Sequence, residues 1–205
     1  MNLQEAIKEI RKTEKRKFDQ SIDLLINMKG VDLKRDNISV VFAMPHQLKE
    51  KKICAFLNTK SDLVKTVTPQ EFVGYKDKNA LKNLVKDYDA FIGLAPLMPQ
   101  VATVFGKALG PSGKMPSPQL GIIMQESEAA IKNEMSKISK SIKIRAKEPS
   151  IKLSVGKESM SDEDLIKNIE TAYNAIVNVL PTKKENVRSV MLKLTMEKPL
   201  KVEMK

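Results

Sequence analysis

The sequence predicts a mixed α/β fold with two domains, one built from both ends of the chain and one inserted into it. Near both termini, apolar residues alternate with polar ones at a period of two, which is typical of strands with one buried face. In the middle, short and nearly continuous apolar runs alternate with helical patterns, which indicates strands buried on both faces. The 205 residues, 41% of them hydrophobic, suffice for one large core or two smaller ones.

The N-terminal part is predicted to contain one helix and two strands. Residues 3–17 carry apolar side chains at helical spacing and end in a basic cluster that begins at Arg11. A period of two over residues 18–28 predicts a half-buried strand, and ISVVFA at 38–43 predicts a second strand that pairs with it as a hairpin. The polar segment 30–37 between them is turn-like.

The middle part is predicted to alternate strands with helices. It follows Pro45-His46 and a charged, linker-like segment at 47–52. The apolar runs that indicate buried strands are 53–57 and 88–94. The stretches with helical spacing are 61–67, with Ser61-Asp62 as a cap, 79–86 and 96–109. Because strands and helices alternate here, we expect βαβ units in a small parallel sheet.

The C-terminal part returns to the first pattern. An amphipathic helix is predicted over residues 126–140, and a long helix over 160–180, where Ser161 and three acidic residues give a capping signal. The strands predicted here are 142–145 and 151–155, as a hairpin around Glu148-Pro149, and 190–195 and 200–204, on either side of Pro199. The domain prediction is therefore 1–47 plus 139–205 for the end-built domain, and 48–138 for the inserted one.

The net charge of +11, with a sequence pI near 9.6, favours a polyanionic partner such as nucleic acid. Most of the positive excess falls in the end-built domain. With six Phe, three Tyr and no Trp, the chain has few rings for stacking on bases, which favours a folded RNA recognised through its backbone and shape. An anionic membrane surface and the absence of any polyanionic partner are the alternatives.

Composition also limits the compartment and the chemistry. The lone Cys54 excludes a disulfide framework and a cysteine-based zinc site, and we expect it to be a small core residue. No apolar run approaches the length of a membrane span, and the N-terminal stretch lacks a signal-peptide pattern, so we expect a soluble cytoplasmic protein that does not bind membranes. With the single His46 predicted as a hinge or RNA-facing residue, we expect no catalytic residues, metal or cofactor.

The segment Gly106–Pro118, GKALGPSGKMPSP, is predicted to form an exposed loop whose backbone amides suit phosphate. The candidate phosphate or tRNA contacts in it are Lys107, Gly110, Gly113 and Lys114. It is not a P-loop, because that motif requires glycine where Ala108 stands and Ser or Thr where Met115 stands. A phosphate-handling enzyme that uses this loop is one alternative function.

Four segments together resemble one known family. LGPSGKMP at 109–116 is similar to the loop signature of the large-subunit ribosomal stalk protein family, ribosomal protein L-one, in its archaeal form. KFDQSIDL at 17–24, VGKESMSDEDLIKNI at 155–169 and KLTMEKPLKV at 193–202 resemble further segments of that family in the same order. The resemblance covers essentially the whole chain.

The resemblance implies an RNA-binding domain made from both termini and an inserted Rossmann-like, three-layer α/β domain. It also implies a non-enzymatic ribosomal protein that is a monomer when free and binds large-subunit ribosomal RNA at the mobile stalk. Its further partners would be exit-site tRNA, whose release it assists, and the leader of its own messenger RNA, whose translation it represses. A ribosome-independent RNA-binding regulator with the same fold is the second alternative.

Carried over position by position, the resemblance implies RNA contacts at Phe18, Asp23, Thr195 and Met196, with Lys17 and Ser21 close enough to reach phosphates. The competing interpretation of Phe18 and Met196 is plain core packing. Two departures from the family pattern bear on affinity. Glu197-Lys198 replaces a Gly-Pro pair after Met196, and Ser112 stands where a basic residue is usual.

Overall fold

The computed structural model describes residues 1–12, 17–32, 38–47, 50–146 and 148–204. It confirms the mixed α/β class. The helices are α1 (Leu3–Arg11), α2 (Lys78–Asp87), α3 (Met98–Ser112), α4 (Glu128–Lys140) and α5 (Asp162–Val179). The strands are β1 (Ser21–Met28), β2 (Ser39–Ala43), β3 (Ile53–Phe56), β4 (Lys65–Val67), β5 (Ala90–Leu94), β6 (Ile122–Ile123), β7 (Ser141–Arg145), β8 (Ser150–Lys157), β9 (Val187–Leu194) and β10 (Leu200–Val202).

Contacts divide the chain into two compact units. Unit 1 comprises residues 1–48 and 142–205, and unit 2 comprises residues 49–141. Each unit has a hydrophobic core of its own. Parts of the predicted basic cluster, of the 30–37 turn, of the 47–52 linker and of the turn before Glu148 lie outside the described residues.

Unit 1 is built on an antiparallel sheet in the order β10-β9-β1-β8. The period of two predicted for β1 is confirmed, since every second side chain from Ile22 to Met28 is buried. Buried residues of α1 and α5 pack in the same core as this inner face, which leaves the other face of the sheet polar. The two strands predicted near the C-terminus are present as β9 and β10, and they pair antiparallel with Leu200 opposite Leu192.

Two predicted hairpins in unit 1 are wrong. β2 pairs with β7 in a separate two-stranded sheet, rather than with β1, and β7 pairs with β2 rather than with β8. The reason is that β1 occupies the centre of the sheet. β8 lies along one of its edges and β9 along the other, so no edge is left for β2.

The capping signal of the long helix is confirmed. The hydroxyl of Ser161 accepts a hydrogen bond from the Asp164 backbone N–H at 3.2 Å, as an N-cap residue does. Asp162, Glu163 and Asp164 all lie in the first turn, where their charge favours the positive end of the helix dipole. The acidic cluster is thus part of a helix start.

Unit 2 contains the predicted parallel sheet, in the order β4-β3-β5-β6. Its core is aromatic: the ring of Phe56 stacks on Phe91 with centroids 5.6 Å apart and contacts Phe105 at 4.8 Å. Cys54 is fully buried in this core, as predicted, and burial raises the pKa of its thiol to about 12.

Two predictions of local structure in unit 2 are wrong. Residues 61–67 do not form a helix, because Thr66 and Val67 are buried on the edge strand β4.

Gly106–Pro118 is not one loop either, because α3 continues to Ser112. Val101, Phe105 and Leu109 form a buried stripe at helical spacing, and this burial carries the helix past Gly106. Gly113, with a φ of +71°, ends it.

Candidate RNA-binding surface

The structure brings the start of β1 and the end of β9 together at one end of the unit 1 sheet. Ile22 lies opposite Leu194, so Thr195 directly follows the last paired residue. Both the backbone N–H and the hydroxyl of Thr195 donate to the Ser21 carbonyl, each at 3.1 Å. We call Lys17, Phe18, Ser21, Asp23, Thr195 and Met196 the contact surface. The two sequence segments that supply it are therefore joined directly.

Phe18 and Met196 are exposed on this surface. Their side chains are 55% and 59% accessible, among the most exposed large apolar residues of the described chain. The core-packing interpretation of both residues is therefore wrong. Large apolar side chains held in water next to polar ones are suited to packing against a partner.

Asp23 lies on the polar face of the sheet, opposite Lys193 of β9 and Ser154 of β8. Its carboxyl is half-buried, and this desolvation raises the pKa of Asp23, while the positive charge of Lys193 acts in the opposite direction. The strand thus supplies a hydrogen-bond acceptor with a cation beside it.

A network of polar side chains holds the loop before α5 against the contact surface. Asp19 accepts hydrogen bonds from the backbone N–H and the hydroxyl of Ser159, at 3.1 and 2.9 Å, and lies 3.7 Å from the ammonium of Lys157. From α1, the guanidinium of Arg11 pairs with Asp162 at 2.6 Å and donates to the Glu158 carbonyl at 3.2 Å.

The sequence interpretation did not single out these positioning residues. Asp19 and Ser159 both lie inside segments that resemble the family, but nothing in the local pattern shows that residues 140 positions apart are bonded to each other.

The departure at Glu197 is accommodated in a turn. Its backbone N–H donates to the Leu194 carbonyl at 3.0 Å, which closes the chain between β9 and β10 directly after Met196. The side chain of Glu197 is half-buried and Lys198 is exposed.

The structure does not gather Lys107, Gly110, Gly113 and Lys114 into one phosphate cradle. The first two lie in α3, and Gly113 ends that helix. The ammonium of Lys114 donates to the carbonyls of Val85 and Tyr88, at 2.7 and 2.8 Å, so it satisfies the C-terminal end of α2. Lys107 is exposed.

His46 contacts α5 through both its side chain and its backbone. Its imidazole Nε2 lies 3.2 Å from Asp164, and its backbone N–H donates to the Asn168 side chain at 3.1 Å.

In the part of the chain that the structure describes, no three His, Cys, Asp or Glu side chains are grouped as metal ligands. Among the described helices, none is long and apolar enough to cross a lipid bilayer.

Comparison with known proteins matches residues 10–197 to the model of the ribosomal protein L1p/L10e family. The large ribosomal subunit protein uL1 of Pyrococcus horikoshii is 33% identical over 213 residues, covering 97% of this chain and 94% of that protein. The uL1 of Methanothermococcus thermolithotrophicus is 34% identical over 217 residues, covering 98% of each. Both the signature segments and these near-complete alignments lead to one conclusion: the chain belongs to the ribosomal protein L1p/L10e family.

Proposed function

We propose that this ribosomal protein, which is not an enzyme, binds large-subunit ribosomal RNA at the mobile stalk through the contact surface of unit 1. The observation that carries the proposal is the exposure of Phe18 and Met196 on the two distant segments that the hydrogen bonds from Thr195 to Ser21 join. The relatives are named as large ribosomal subunit proteins, which supports the same partner.

The chemistry of the surface fits a structured RNA. The aromatic ring of Phe18 and the thioether of Met196 can pack on ribose edges, while Lys17 and Lys193 are available for phosphates. Thr195 donates its hydroxyl hydrogen to Ser21, which leaves the oxygen lone pairs to accept from a ribose 2′-OH. Asp23 offers a second acceptor, and recognition of 2′-OH groups distinguishes RNA from DNA.

We further propose the two roles that the family resemblance implies. On the ribosome, in the cytoplasm, the protein assists release of deacylated tRNA from the exit site. When free, it represses its own messenger RNA, whose leader presents the same folded shape to the same contact surface. One surface serves both RNAs because shape and backbone, rather than a long base sequence, are what it recognises.

Cosedimentation with large ribosomal subunits, washed in increasing salt, tests the proposal. We expect the protein to remain bound at moderate salt and to be released as phosphate contacts are screened. A ribosome-independent regulator would not cosediment but would still bind an RNA leader. Saturable turnover of a nucleotide by the purified protein would instead support the enzyme alternative.

A double variant tests whether RNA binds at the contact surface. Thr195→Val with Met196→Ala should weaken binding to a stalk RNA fragment by about 1–3 kcal/mol, the usual loss for specific contacts. Val179→Ala, which also shortens an exposed apolar side chain of unit 1 but lies at the end of α5, is the control and should leave binding unchanged. Unchanged binding by the double variant would place the RNA on another surface.

A further inference from the structure

One polar side chain among the contact residues is buried without a hydrogen-bond partner in the described part of the chain. Gln20 directly precedes β1 and is only 1% exposed. Neither the oxygen nor the nitrogen of its carboxamide has a hydrogen-bond partner among the described residues, although its backbone carbonyl accepts from Glu158 at 2.8 Å. By contrast, Asn168, which is fully buried in the same unit, makes three hydrogen bonds.

An unpaired amide in this place is costly for the free protein. Burial removes water from two strong hydrogen-bonding groups without replacing it, and Leu or Met would fill a similar volume without that penalty. Polar groups left unpaired in a core are expected where function requires them rather than where the fold does.

Gln20 lies in the same segment as residues of the contact surface. Its neighbours in sequence are Asp19, which is tied to Ser159, and Ser21, whose carbonyl receives both bonds from Thr195. Phe18 stands exposed two residues earlier. The backbone on either side is therefore held in place, and the free torsions are those of the glutamine side chain itself.

We propose that Gln20 is a further specificity-determining residue of the RNA surface, whose carboxamide turns outward on binding to pair with the edge of an unpaired base. A carboxamide donates and accepts side by side, which matches the adjacent donor and acceptor of a base edge. In the free protein the carboxamide of Gln20 is unpaired, and the bound RNA supplies both the hydrogen-bond donor and the acceptor that it lacks. This inference rests on the proposed function, because it assigns a residue to the same surface.

The test replaces Gln20 by Met, which has a similar length but no strong hydrogen-bonding group. We expect Gln20→Met to raise the midpoint of thermal unfolding by a few degrees, because the unpaired amide is removed. We expect it to weaken binding to a transcribed stalk fragment of archaeal large-subunit ribosomal RNA on the order of tenfold, with no change in the salt slope, since no phosphate contact is lost.

Two controls separate this effect from general disturbance of the strand. Ile22→Val trims the next buried side chain of β1, so it should lower stability and leave RNA affinity unchanged. A duplex RNA of equal length measures non-specific binding, which Gln20→Met should not alter.

Each outcome decides the question. If the wild-type protein does not prefer the stalk fragment to the duplex, the proposed function fails. If it does and Gln20→Met binds equally well, only the role of Gln20 fails. A Gln20→Met protein that is less stable, or does not fold, would mean that the amide is already paired in the free protein, which also overturns the inference.

Discussion

Asp23 is a residue whose location is evident from the sequence but whose ionisation is set by the fold. Period-two spacing places it on the polar face of β1, yet only the assembled sheet leaves the carboxyl half-buried beside Lys193. Because the pKa of Asp23 is raised, ionisation disfavours the folded state. The stability that the protonated form contributes is complete below the ordinary pKa and is lost as pH rises through the folded pKa.

Asp23→Asn should therefore make the protein slightly more stable at pH 7, because the asparagine is never charged. The advantage should disappear at pH 3, where Asp23 is protonated in both states. Urea denaturation at the two pH values measures this difference. A variant that is less stable at pH 7 would show that the charge of Asp23 is favourable in the folded protein.

Because Phe18 is exposed, its side chain is expected to contribute to RNA binding but little to the stability of the fold. Since its side chain is 55% accessible, Phe18→Ala should change the free energy of unfolding by no more than about 0.5 kcal/mol. It should nevertheless weaken binding of the stalk RNA about tenfold or more, as removal of an anchoring ring does. Met124→Ala, in unit 2 and 80% exposed, is the matched control for loss of a large exposed side chain. Equal RNA affinities in a fluorescence titration of both variants would argue against Phe18 as a contact.

At the scale of elements, two glycines illustrate opposite consequences of one substitution. A Cβ at Gly156 of β8 would clash with a methyl carbon of Leu165 in α5, whereas a Cβ at Gly106 in α3 would meet nothing within 4 Å. We expect Gly156→Ala to destabilise the protein by about 1–3 kcal/mol through overpacking. We expect Gly106→Ala to stabilise it by about 0.5–1 kcal/mol, because alanine favours a helix interior. Chemical denaturation of both variants would show whether the signs differ.

Helix α2 depends on a side chain from a later segment. Lys114→Met removes both hydrogen bonds that its ammonium makes to the end of α2, so unit 2 should lose about 1–3 kcal/mol of stability. Lys107→Met, which removes an exposed charge of the same segment, should be neutral within about 0.5 kcal/mol. The midpoint of urea denaturation of each variant measures this difference in stability. If the two variants behaved alike, the carbonyl contacts of Lys114 would contribute nothing to stability.

At the scale of the whole molecule, the two hydrophobic cores are separate. Leu109 is fully buried in unit 2 and Ile169 in unit 1, and neither belongs to the other core. Leu109→Ala should cost about 2–5 kcal/mol in unit 2, and amide hydrogen exchange should accelerate over residues 50–141 while unit 1 keeps its protection. Ile169→Ala should give the converse pattern. Acceleration across both units in either variant would indicate a single cooperative structure.

Much of the fold was predictable because periodicity reports which face of an element is apolar. The alternation in β1, the apolar runs of β3 and β5, and the acidic start of α5 all indicate their elements locally. The same reasoning misassigned residues 61–67 and the end of α3. In both places, burial in the core of unit 2 outweighed local signals such as Ser61-Asp62 and the glycines around Gly110.

The candidate site was predictable as a set of residues but not as a surface. The family resemblance named Phe18 and Met196, whereas their exposure, which excludes core packing, appears only in the structure. Gln20 was not predictable as a site residue, since a glutamine in a polar stretch is ordinary until its burial is known.

By itself, the sequence determined the α/β class, the positive charge that favours a polyanion and the segments that identify the family. Only the tertiary structure decided that β2 pairs with β7, that Lys114 serves the end of α2, and that Gln20 lies buried without a partner. The physical reason is the range of the interactions. Periodicity, capping and composition act within a few residues, whereas strand pairing and hydrogen-bond satisfaction depend on which distant groups the folded chain brings together.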